Sequence, residues 1–471
     1  MHVLPVNHRW LVFALLLSGF LLRIAFLDSK SLWLDEANAL RVSYLEQTAL
    51  WEGRGEGYHP PLFYKVLEFW RLLGEDETTL RLIAVIPSTL SIPLLYIFGS
   101  TLLNRSIALS ATALVAFSPL LIWYAQEVRP YALLGFLTLA TMLSASKLRQ
   151  KPHPLWWLSF VSCLIAALYL HYFAILLIPL TVMLLVISWP TKQATWQGVG
   201  GIGLAFITAM AAYWPWLTSP AAQRFFDIAG SDRNYVAQLL TTRLDSLPLA
   251  DQMYPILIMA GLVGTLLSFF AAYFFARTVV PSQRFQALNE WRWLQVALLL
   301  AYIVILVLVV WPRGYTIKRQ LVMFWPFVLL GFGWFWPWRP KQKRIVVVIL
   351  LCSLAASLIN IILIPKPEWR EANAYILANQ QVNDMAVLEP TYMTIPFNYY
   401  NENRSLHRGV RFGLSDDALQ ELSDAHGRIW QVIDLNDMDP QQLNANWLDA
   451  HMNLISITNF YKLQIRLYER P

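Results

Sequence analysis

Long apolar runs alternate with short polar loops over most of this chain, up to about residue 364. An apolar helix of about 20 residues spans the hydrocarbon core of a bilayer. Windows of this kind predict about eleven membrane spans. They cover residues 10–27, 80–103, 107–123, 132–146, 155–170, 172–188, 198–216, 255–276, 293–311, 321–338 and 345–364. The pattern is typical of an α-helical polytopic membrane protein.

The loop between the first two spans, residues 28–79, mixes apolar and polar positions. Residues 37–51 are predicted to form a helix that lies on the membrane interface. The glycine-rich stretch at 53–57 predicts a flexible turn. A second amphipathic helix is expected over Leu62–Leu73.

The composition becomes polar after Pro365. A helix is predicted over Glu368–Gln380. Strands are predicted over Met385–Glu389, Arg428–Leu435, Leu454–Thr458 and Leu463–Tyr468. We therefore predict a transmembrane domain over residues 1–365, with the long first loop inserted in it, and a small α/β domain over residues 366–471.

Composition and charge agree with a membrane protein. Apolar residues make up 57% of the chain and charged residues 14%, whereas soluble domains carry roughly 25% charged residues. Basic residues concentrate in alternate loops, in which Glu290 is the only acidic residue. The positive-inside rule places these loops and the N-terminus in the cytoplasm, and the C-terminal domain on the opposite, extracytoplasmic side.

Other compositional features narrow the class. The net charge of +6 does not indicate a nucleic-acid partner, because the basic residues are spread over short loops. Cys163 and Cys352 lie within apolar runs and are not expected to pair. No small-x-small cleavage site follows the first span, so we expect it to be retained. Arg23, near the outer end of that span, is expected to extend outward to the membrane surface.

Two adjacent carboxylates, Asp35 and Glu36, follow the first span on the side opposite the basic loops. An acidic pair in this position indicates a site that takes a proton or holds a cation at the membrane surface. Neighbouring side chains on a helix diverge by about 100°, so the two carboxylates are not expected to point at one atom. The structural alternative is that Asp35 caps a helix that begins near Ala37.

Several short motifs in the predicted outer loops accompany this pair. They are Leu34-Asp35-Glu36-Ala37, His59-Pro60-Pro61-Leu62-Phe63-Tyr64, Arg81, Ser118-Pro119 and Gln126-Glu127-Val128-Arg129-Pro130-Tyr131-Ala132-Leu133. The ordered set resembles bacterial membrane glycosyltransferases of the GT-C superfamily. Within it the set is most similar to glycosyltransferase family 39, which includes protein O-mannosyltransferases and the aminoarabinose transferases that modify lipid A. The resemblance is strongest over residues 1–190. Beyond them it rests on the number of spans, the basic loop Arg313–Arg319 and the tail that begins Glu368-Trp369-Arg370.

The resemblance implies a GT-C fold and inverting transfer of a sugar from a polyprenyl-phosphate donor to an acceptor hydroxyl. The implied location is the extracytoplasmic face of a bacterial inner membrane, and the implied partners are the lipid-linked donor, a glycan, lipid or protein acceptor, and the bilayer. The family's first-loop aspartate is the catalytic base, a role that falls on Asp35. Glu36 is then expected to hold a partner cation, a metal ion or the loop itself.

A leaving phosphate requires positive charge. Arg129 is the first candidate to bind it, and Arg313, Lys318 and Arg319 form a second group. The structural alternatives are an ion pair of Arg129 with Glu127, an interfacial Arg129, and lipid-headgroup contacts of the second group.

Substrate contacts are predicted for His59, Tyr64, Glu127, Tyr131 and His171, which all lie in outer loops. A His at a membrane boundary also serves as a hydrogen-bonding group, and a Tyr there as an anchor. Glu36 and His59 are candidate ligands of a divalent metal ion. The chain has no dense ligand motif such as HExxH, and no cofactor is assigned.

Other functions fit parts of the pattern. A glycan ligase or polymerase that uses a lipid-diphosphate donor would need similar phosphate-binding cations. A polytopic transporter would place polar groups near the middle of the membrane, whereas the ionisable residues here gather in loops on one side. A scaffold protein with a degenerate site is disfavoured by the retained acidic pair and Arg129.

Overall fold

The computed structural model describes residues 6–54, 59–102, 105–188, 195–231, 340–401, 407–410, 413–435 and 442–471, with single helical residues at 322, 323, 326 and 329. The predicted spans 255–276 and 293–311, and nearly all of 321–338, lie outside the described residues. The chain divides into two compact units. We call residues 1–25, 45–66 and 82–358 the helical unit, and residues 26–44, 67–81 and 359–471 the loop–tail unit.

This division differs from the sequence-based one at residue 365. Two parts of the first loop, residues 26–44 and 67–81, group with the C-terminal region rather than with the helical unit. The physical reason is a set of buried polar contacts between these segments, described below with the candidate site.

Apart from Pro220–Ser231, which no predicted helix covers, the described helices up to Leu363 follow the predicted spans and first-loop helices closely. They are α1 (Val6–Ile24), α2 (Leu34–Ser43), α3 (Gln47–Trp51), α4 (Leu62–Trp70), α5 (Glu77–Leu102), α6 (Arg105–Ala116), α7 (Pro119–Ala125), α8 (Tyr131–Gln150), α9 (Pro154–Leu170), α10 (Leu177–Ser188), α11 (Trp196–Leu217), α12 (Pro220–Ser231) and α13 (Pro340–Leu363), with 3-10 turns at Arg71–Leu73 and Tyr172–Leu176. The predicted interfacial helix 37–51 is divided into α2 and α3, because the backbone of Glu46 is extended, with ψ of 154°.

Three of the described helices are long and apolar enough to cross a membrane: Glu77–Leu102, Tyr131–Gln150 and Trp196–Leu217. The bent pair α6–α7 is a fourth if it counts as one span, and Pro154–Leu170, Tyr172–Val182 and Val347–Leu363 are shorter apolar helices. Apolar side chains on α1, such as Trp10, Phe13 and Leu21, are exposed, as lipid-facing residues are. The total of eleven spans stays a prediction.

The predicted span 107–123 is broken in the structure. Helices α6 and α7 meet at 53°. Ser118 takes an extended conformation, and Pro119, the first residue of α7, lacks the N–H that would continue the helical bonds of α6. Carbonyls at the end of α6 are thereby left to other donors. The hydroxyls of Ser353 and Ser357 donate to the Phe117 carbonyl at 2.7 and 2.9 Å.

Arg23 supplies further donors at this break. Its Nη1 donates to the Ala116 carbonyl at 3.0 Å, its Nη2 to the Val115 carbonyl at 3.2 Å, and its Nε to Ser88 Oγ at 2.8 Å. The side chain is fully buried, so the expectation that Arg23 extends to the membrane surface is wrong. Carbonyl groups at a helix C-terminus carry partial negative charge, which attracts the guanidinium inward.

The C-terminal region forms the predicted small α/β domain. Its described elements are α14 (Trp369–Asn379), β1 (Met385–Glu389), α15 (Thr394–Tyr400), β2 (His407–Gly409), α16 (Asp416–Ala425), β3 (Arg428–Asp434), α17 (Leu443–His451), β4 (Asn453–Phe460) and β5 (Leu463–Glu469). The strand order is β2-β1-β3-β5-β4. Strands β2, β1 and β3 are parallel, and β5 and β4 are antiparallel to their neighbours. The sequence pattern does not predict β2, because its length of 3 residues is too short to show an alternation.

Alternate residues of the sheet face two helical layers. On one face Trp430 of β3 packs in a core with Trp369 of α14. On the other face Ile429 packs with Leu419 of α16 and Leu448 of α17. Burial on both faces explains why apolar residues of β3, Ile429, Trp430, Val432 and Ile433, point to both sides of the sheet.

The start of α11 lies unusually close to the end of α8. A Cβ atom on Gly198 would lie 2.6 Å from the carbonyl oxygens of both Leu148 and Arg149. The Arg149 carbonyl also accepts a hydrogen bond from the Thr195 backbone N–H at 2.9 Å. Only glycine allows this approach of two backbones.

Gly198→Ala is therefore expected to lower stability by about 1–3 kcal/mol, because the added methyl group would overlap backbone atoms that cannot move independently. Gly200→Ala is the matched control, since a Cβ there meets nothing within 4 Å. Alanine in an exposed helical position is neutral or stabilising by up to about 1 kcal/mol. Apparent Tm values of the detergent-purified variants measure the difference, and equal values for the two variants would contradict the close approach.

Candidate functional site

The acidic pair lies in the first turn of α2. This helix begins at Leu34, and the residue before it, Trp33, is extended with ψ of 174°. Asp35 is therefore inside the helix and does not cap it, so the structural alternative of a helix that begins near Ala37 is wrong. Carboxylates in a first turn interact favourably with the partial positive charge of the helix N-terminus.

Glu36 is fully buried between two cations. Its Oε1 accepts from Arg81 Nε at 3.0 Å. Its Oε2 accepts from Arg81 Nη2 at 3.1 Å and from Lys366 Nζ at 2.8 Å. Both oxygens of this carboxylate are thus engaged by positively charged donors, which form the strongest class of hydrogen bond.

Arg81 uses its other donors on the chain that leads into α2. Nη1 donates to the carbonyls of Leu27 at 2.6 Å and Lys30 at 2.8 Å, and Nη2 donates to the carbonyl of Ser31 at 3.1 Å. Together with the two bonds to Glu36, these contacts occupy all five N–H groups of the guanidinium. One side chain therefore fixes the whole segment from Leu27 to Glu36.

The electrostatics follow from burial and these cations. Burial by itself would raise the pKa of the Glu36 carboxyl, but the charges of Arg81 and Lys366 outweigh it and lower the pKa to about 2. Glu36 is therefore ionised at neutral pH. Burial, followed by the charges of Lys366 and Arg81, also lowers the pKa of the nearby Lys30 ammonium, to about 8.

The C-terminal region adds contacts to the same segment. Arg370 Nη2 lies 2.7 Å from Glu77 Oε1. The Tyr400 hydroxyl donates to the same carboxylate oxygen at 2.8 Å and accepts from the backbone N–H of Leu32 at 2.6 Å. Sequence reasoning missed Lys366 as a site residue. The only sequence signal was the tail motif Glu368-Trp369-Arg370, two residues beyond Lys366.

Asp35 differs from its neighbour in environment. It is half-buried, whereas Glu36 is fully buried. Because successive residues on a helix diverge by about 100°, the cations that bind Glu36 approach from another direction than the Asp35 carboxylate. Of the two predicted catalytic carboxylates, Asp35 is the one that is partly open to solvent.

In the helical unit, several predicted substrate residues come together as one aromatic group. The rings of His59 and His171 stack with centroids 6.0 Å apart, and Tyr131 lies 5.7 Å from His171. Phe225 lies 5.9 Å from His59 and 4.1 Å from Tyr172. We call these residues, His59, Tyr131, His171, Tyr172 and Phe225, the histidine–aromatic group.

His171 occupies the break between α9 and the following 3-10 turn. Its Nδ1 accepts from the backbone N–H of Phe173 at 3.2 Å, which leaves Nε2 as the protonated nitrogen of the neutral ring. Burial, with the nearby charges of His59 and Arg129, lowers the pKa of His171 to about 3. The ring is therefore neutral at physiological pH and acts as a hydrogen-bonding group rather than as a cation.

Arg129 lies beside the histidine–aromatic group. Its guanidinium carbon is 5.7 Å from the centre of the Tyr131 ring, and its Nη2 donates to the Tyr131 hydroxyl at 3.5 Å. The backbone N–H of Arg129 donates to the carbonyl of Glu127 at 2.7 Å, and the Glu127 side chain is buried. Tyr64 is also buried, with its ring 6.1 Å from that of Phe63. Arg313, Lys318 and Arg319 lie outside the described residues.

The described residues contain no group of three or more His, Cys, Asp or Glu side chains placed to hold a metal ion. Of the two candidate ligands, Glu36 has both oxygens engaged by Arg81 and Lys366, and His59 stacks against His171. Metal binding by Glu36 or His59 remains a sequence-based prediction.

Comparison with known proteins adds a family match and a fold. Residues 58–216 match the family model of the dolichyl-phosphate-mannose-protein mannosyltransferases. No curated protein matches the chain at a significant level of similarity.

Solved structures share the fold at low sequence identity. The oligosaccharyltransferase AglB from Archaeoglobus fulgidus, in complex with an inhibitory peptide and a dolichol-phosphate, is 11% identical with a TM-score of 0.52, over 92% of this chain and 70% of that one. ArnT from Cupriavidus metallidurans in the apo state is 11% identical with a TM-score of 0.50, over 98% of both chains. The arabinofuranosyltransferase AftD from Mycobacteria is 13% identical with a TM-score of 0.51, over 99% of this chain and 40% of that one.

These similarities show the fold. With the matched segment they confirm the predicted resemblance to GT-C membrane glycosyltransferases. The described apolar helices, three of them long enough to cross a membrane, agree with this fold.

The buried ion cluster of Glu36, Arg81 and Lys366 predicts a large loss of folding stability in Glu36→Gln. Removing the charge leaves Arg81 and Lys366 buried without a counter-charge, and breaking a buried ion pair in this way costs about 3–5 kcal/mol. The control is Asp424→Asn, whose partner Arg470 is on the surface with 55% of its side chain exposed; that change should cost less than about 1 kcal/mol. Apparent Tm values in detergent measure the stability loss of each variant. A comparable decrease in the two variants would contradict the conclusion that Glu36 is the counter-charge of buried Arg81 and Lys366.

The same carboxyl predicts a pH dependence. Its pKa in the folded protein, about 2, lies below the ordinary 4.5. Its stabilising contribution of about 3 kcal/mol is therefore fully present above pH 4.5 and is lost as the pH falls from 4.5 to 2. The gap in apparent Tm between wild type and Glu36→Gln should be constant from pH 8 to 5 and narrow below about 4.5. A gap that stays constant down to pH 3 would show that Glu36 is not held ionised by the two cations.

Proposed function

We propose that this chain, which has the GT-C fold of these membrane glycosyltransferases, is an inverting glycosyltransferase that moves a sugar from a polyprenyl-phosphate donor to an acceptor hydroxyl. The observation that carries the proposal is the arrangement of the acidic pair. Glu36 is held ionised and immobile by Arg81 and Lys366, and this presents the adjacent, half-buried Asp35 from a rigid helical turn.

Asp35 acts as the catalytic base in this reaction. It accepts the proton of the acceptor hydroxyl while the acceptor oxygen forms a bond to the anomeric carbon of the sugar. The bond between that carbon and the phosphate oxygen breaks on the opposite side, and the polyprenyl phosphate leaves as an anion. A single displacement of this kind inverts the configuration at the anomeric carbon.

Arg129 and the histidine–aromatic group are the donor-binding residues of the helical unit in this proposal. A guanidinium provides the positive charge that a leaving phosphate requires. Neutral His171 donates a hydrogen bond from Nε2, and the faces of Tyr131 and His59 suit a sugar ring. Arg313, Lys318 and Arg319 are further phosphate ligands in this scheme. A polyprenyl phosphate is supported by the matched family description and by AglB, whose structure contains a dolichol-phosphate.

The setting of the reaction is part of the proposal. The positive-inside pattern supports a cytoplasmic N-terminus and an extracytoplasmic site and C-terminal domain. The change to a polar composition after Pro365 supports residues 1–365 as the transmembrane domain and 366–471 as the soluble one. The motifs favour an enzyme similar to glycosyltransferase family 39 in a bacterial inner membrane, where the carrier is undecaprenyl phosphate.

Asp35→Asn tests the base. Purified wild-type protein in nanodiscs is expected to transfer label from polyprenyl-phosphate hexoses to a membrane extract, and Asp35→Asn to lose at least about 10²-fold in turnover, the usual contribution of a general base. Asp28→Asn is the matched control, because Asp28 lies in the same loop with an exposed side chain, and it should keep wild-type turnover.

Two outcomes would contradict the proposal. Wild-type turnover by a folded Asp35→Asn variant would remove Asp35 from the base role. Transfer by the wild type from lipid-diphosphate donors, with none from any monophosphate donor, would instead identify a ligase or polymerase. The labelled product, separated into protein, lipid and polysaccharide fractions, identifies the acceptor class.

A further inference from the structure

We propose that Lys366 is a positioning residue for catalysis, which holds the Glu36 carboxylate and thereby fixes the turn of α2 from which Asp35 acts. The inference rests on the proposed function, because it assigns a role in that transfer reaction. It also assigns a role to the start of the C-terminal region, which the motifs of the first loop do not reveal.

Lys366 is buried although it belongs to a polar segment. It lies three residues beyond the end of α13 at Leu363 and is only 8% exposed. Its Nζ lies 2.8 Å from Glu36 Oε2. Lysine is almost never buried without a partner, so this ion pair accounts for the position of the side chain.

Neutralising the Glu36 charge does not require Lys366. Arg81 already provides one full positive charge and contacts both carboxylate oxygens at 3.0 and 3.1 Å. Lys366 approaches Oε2 from a different segment of the chain and at a shorter distance of 2.8 Å. Two cations from separate elements restrain the carboxylate more tightly than one, and this restraint is the property that we assign to Lys366.

The residues that follow Lys366 contact the same part of the first loop. The backbone N–H of Arg370 donates to Ser31 Oγ at 3.1 Å, and Arg370 Nη2 donates to the carbonyl of Asp28 at 2.9 Å. Ser31 Oγ in turn donates to Glu371 Oε2 at 3.0 Å. Residues 366–371 therefore hold the loop both before α2 and within its first turn.

Small displacements of a catalytic base lower the reaction rate. Catalytic groups must be held within about 0.5 Å of the productive geometry by the residues that support them. A looser first turn of α2 would place Asp35 correctly for a smaller fraction of the time, while donor binding would be unchanged. A positioning role therefore lowers kcat and leaves KM for the donor nearly constant.

Lys366→Met and Lys366→Arg, compared with Arg470→Met, test this role. Lys366→Met should lower kcat by at least about tenfold with less than about a twofold change in donor KM, since only the positioning is lost. Lys366→Arg keeps the charge and should recover most of the turnover. Arg470→Met removes an exposed C-terminal cation and should keep wild-type kinetics. Lys366→Met with wild-type kcat would overturn the proposal, as would Lys366→Arg with no recovery.

Amide hydrogen exchange gives a readout that does not depend on turnover. Exchange over residues 31–37 should be at least about tenfold faster in Lys366→Met than in wild type, and unchanged in Arg470→Met. If wild-type protein transfers no sugar, the proposed function fails, while faster exchange still identifies Lys366 as the restraint on α2. Unchanged exchange in folded Lys366→Met would overturn the positioning role whatever the activity.

Discussion

A buried carboxylate between two cations organises the first loop of this protein. Removing Glu36, Arg81 and Lys366 from water is costly, by several kcal/mol for each ion, unless the charges meet in good geometry. Here they do, with contacts of 2.8–3.1 Å to both carboxylate oxygens. Because Glu36 is the counter-charge of both cations, the segments that carry Arg81 and Lys366 must each meet α2 for their cation to be buried.

This constraint separates the roles of two neighbouring carboxylates. In sequence, Asp35 and Glu36 look like one acidic pair. In the fold, Glu36 is saturated by cations and serves the structure, whereas Asp35 is half-buried on the same rigid turn. In the proposed reaction the base must be both held in place and reachable by substrate, and we assign the first condition to Glu36 and the second to the partly exposed Asp35.

The break between α6 and α7 depends on hydrogen bonds to the backbone carbonyls that it leaves unpaired. A broken helix leaves open carbonyls, which hydrocarbon cannot satisfy, so protein donors must do so. Arg23, Ser353 and Ser357 provide them at the end of α6. Other N–H groups of the Arg23 guanidinium donate to Ser88 and to the Gly19 carbonyl. The buried cation is therefore hydrogen-bonded within the protein.

Local periods and lengths along the chain are enough to predict most of the described apolar helices, the first-loop helices and most strands of the C-terminal domain. Met385–Glu389 was predicted residue for residue, and the acidic pair was visible as a motif. Two contacts become visible only in the folded chain: Lys366 meets Glu36 from 330 positions away, and Arg23 turns toward carbonyls 92 and 93 positions away. A local pattern states how a segment folds, but it does not contain the distances between segments that are far apart in the chain. The choice of which buried charge pairs with which partner was therefore made by packing.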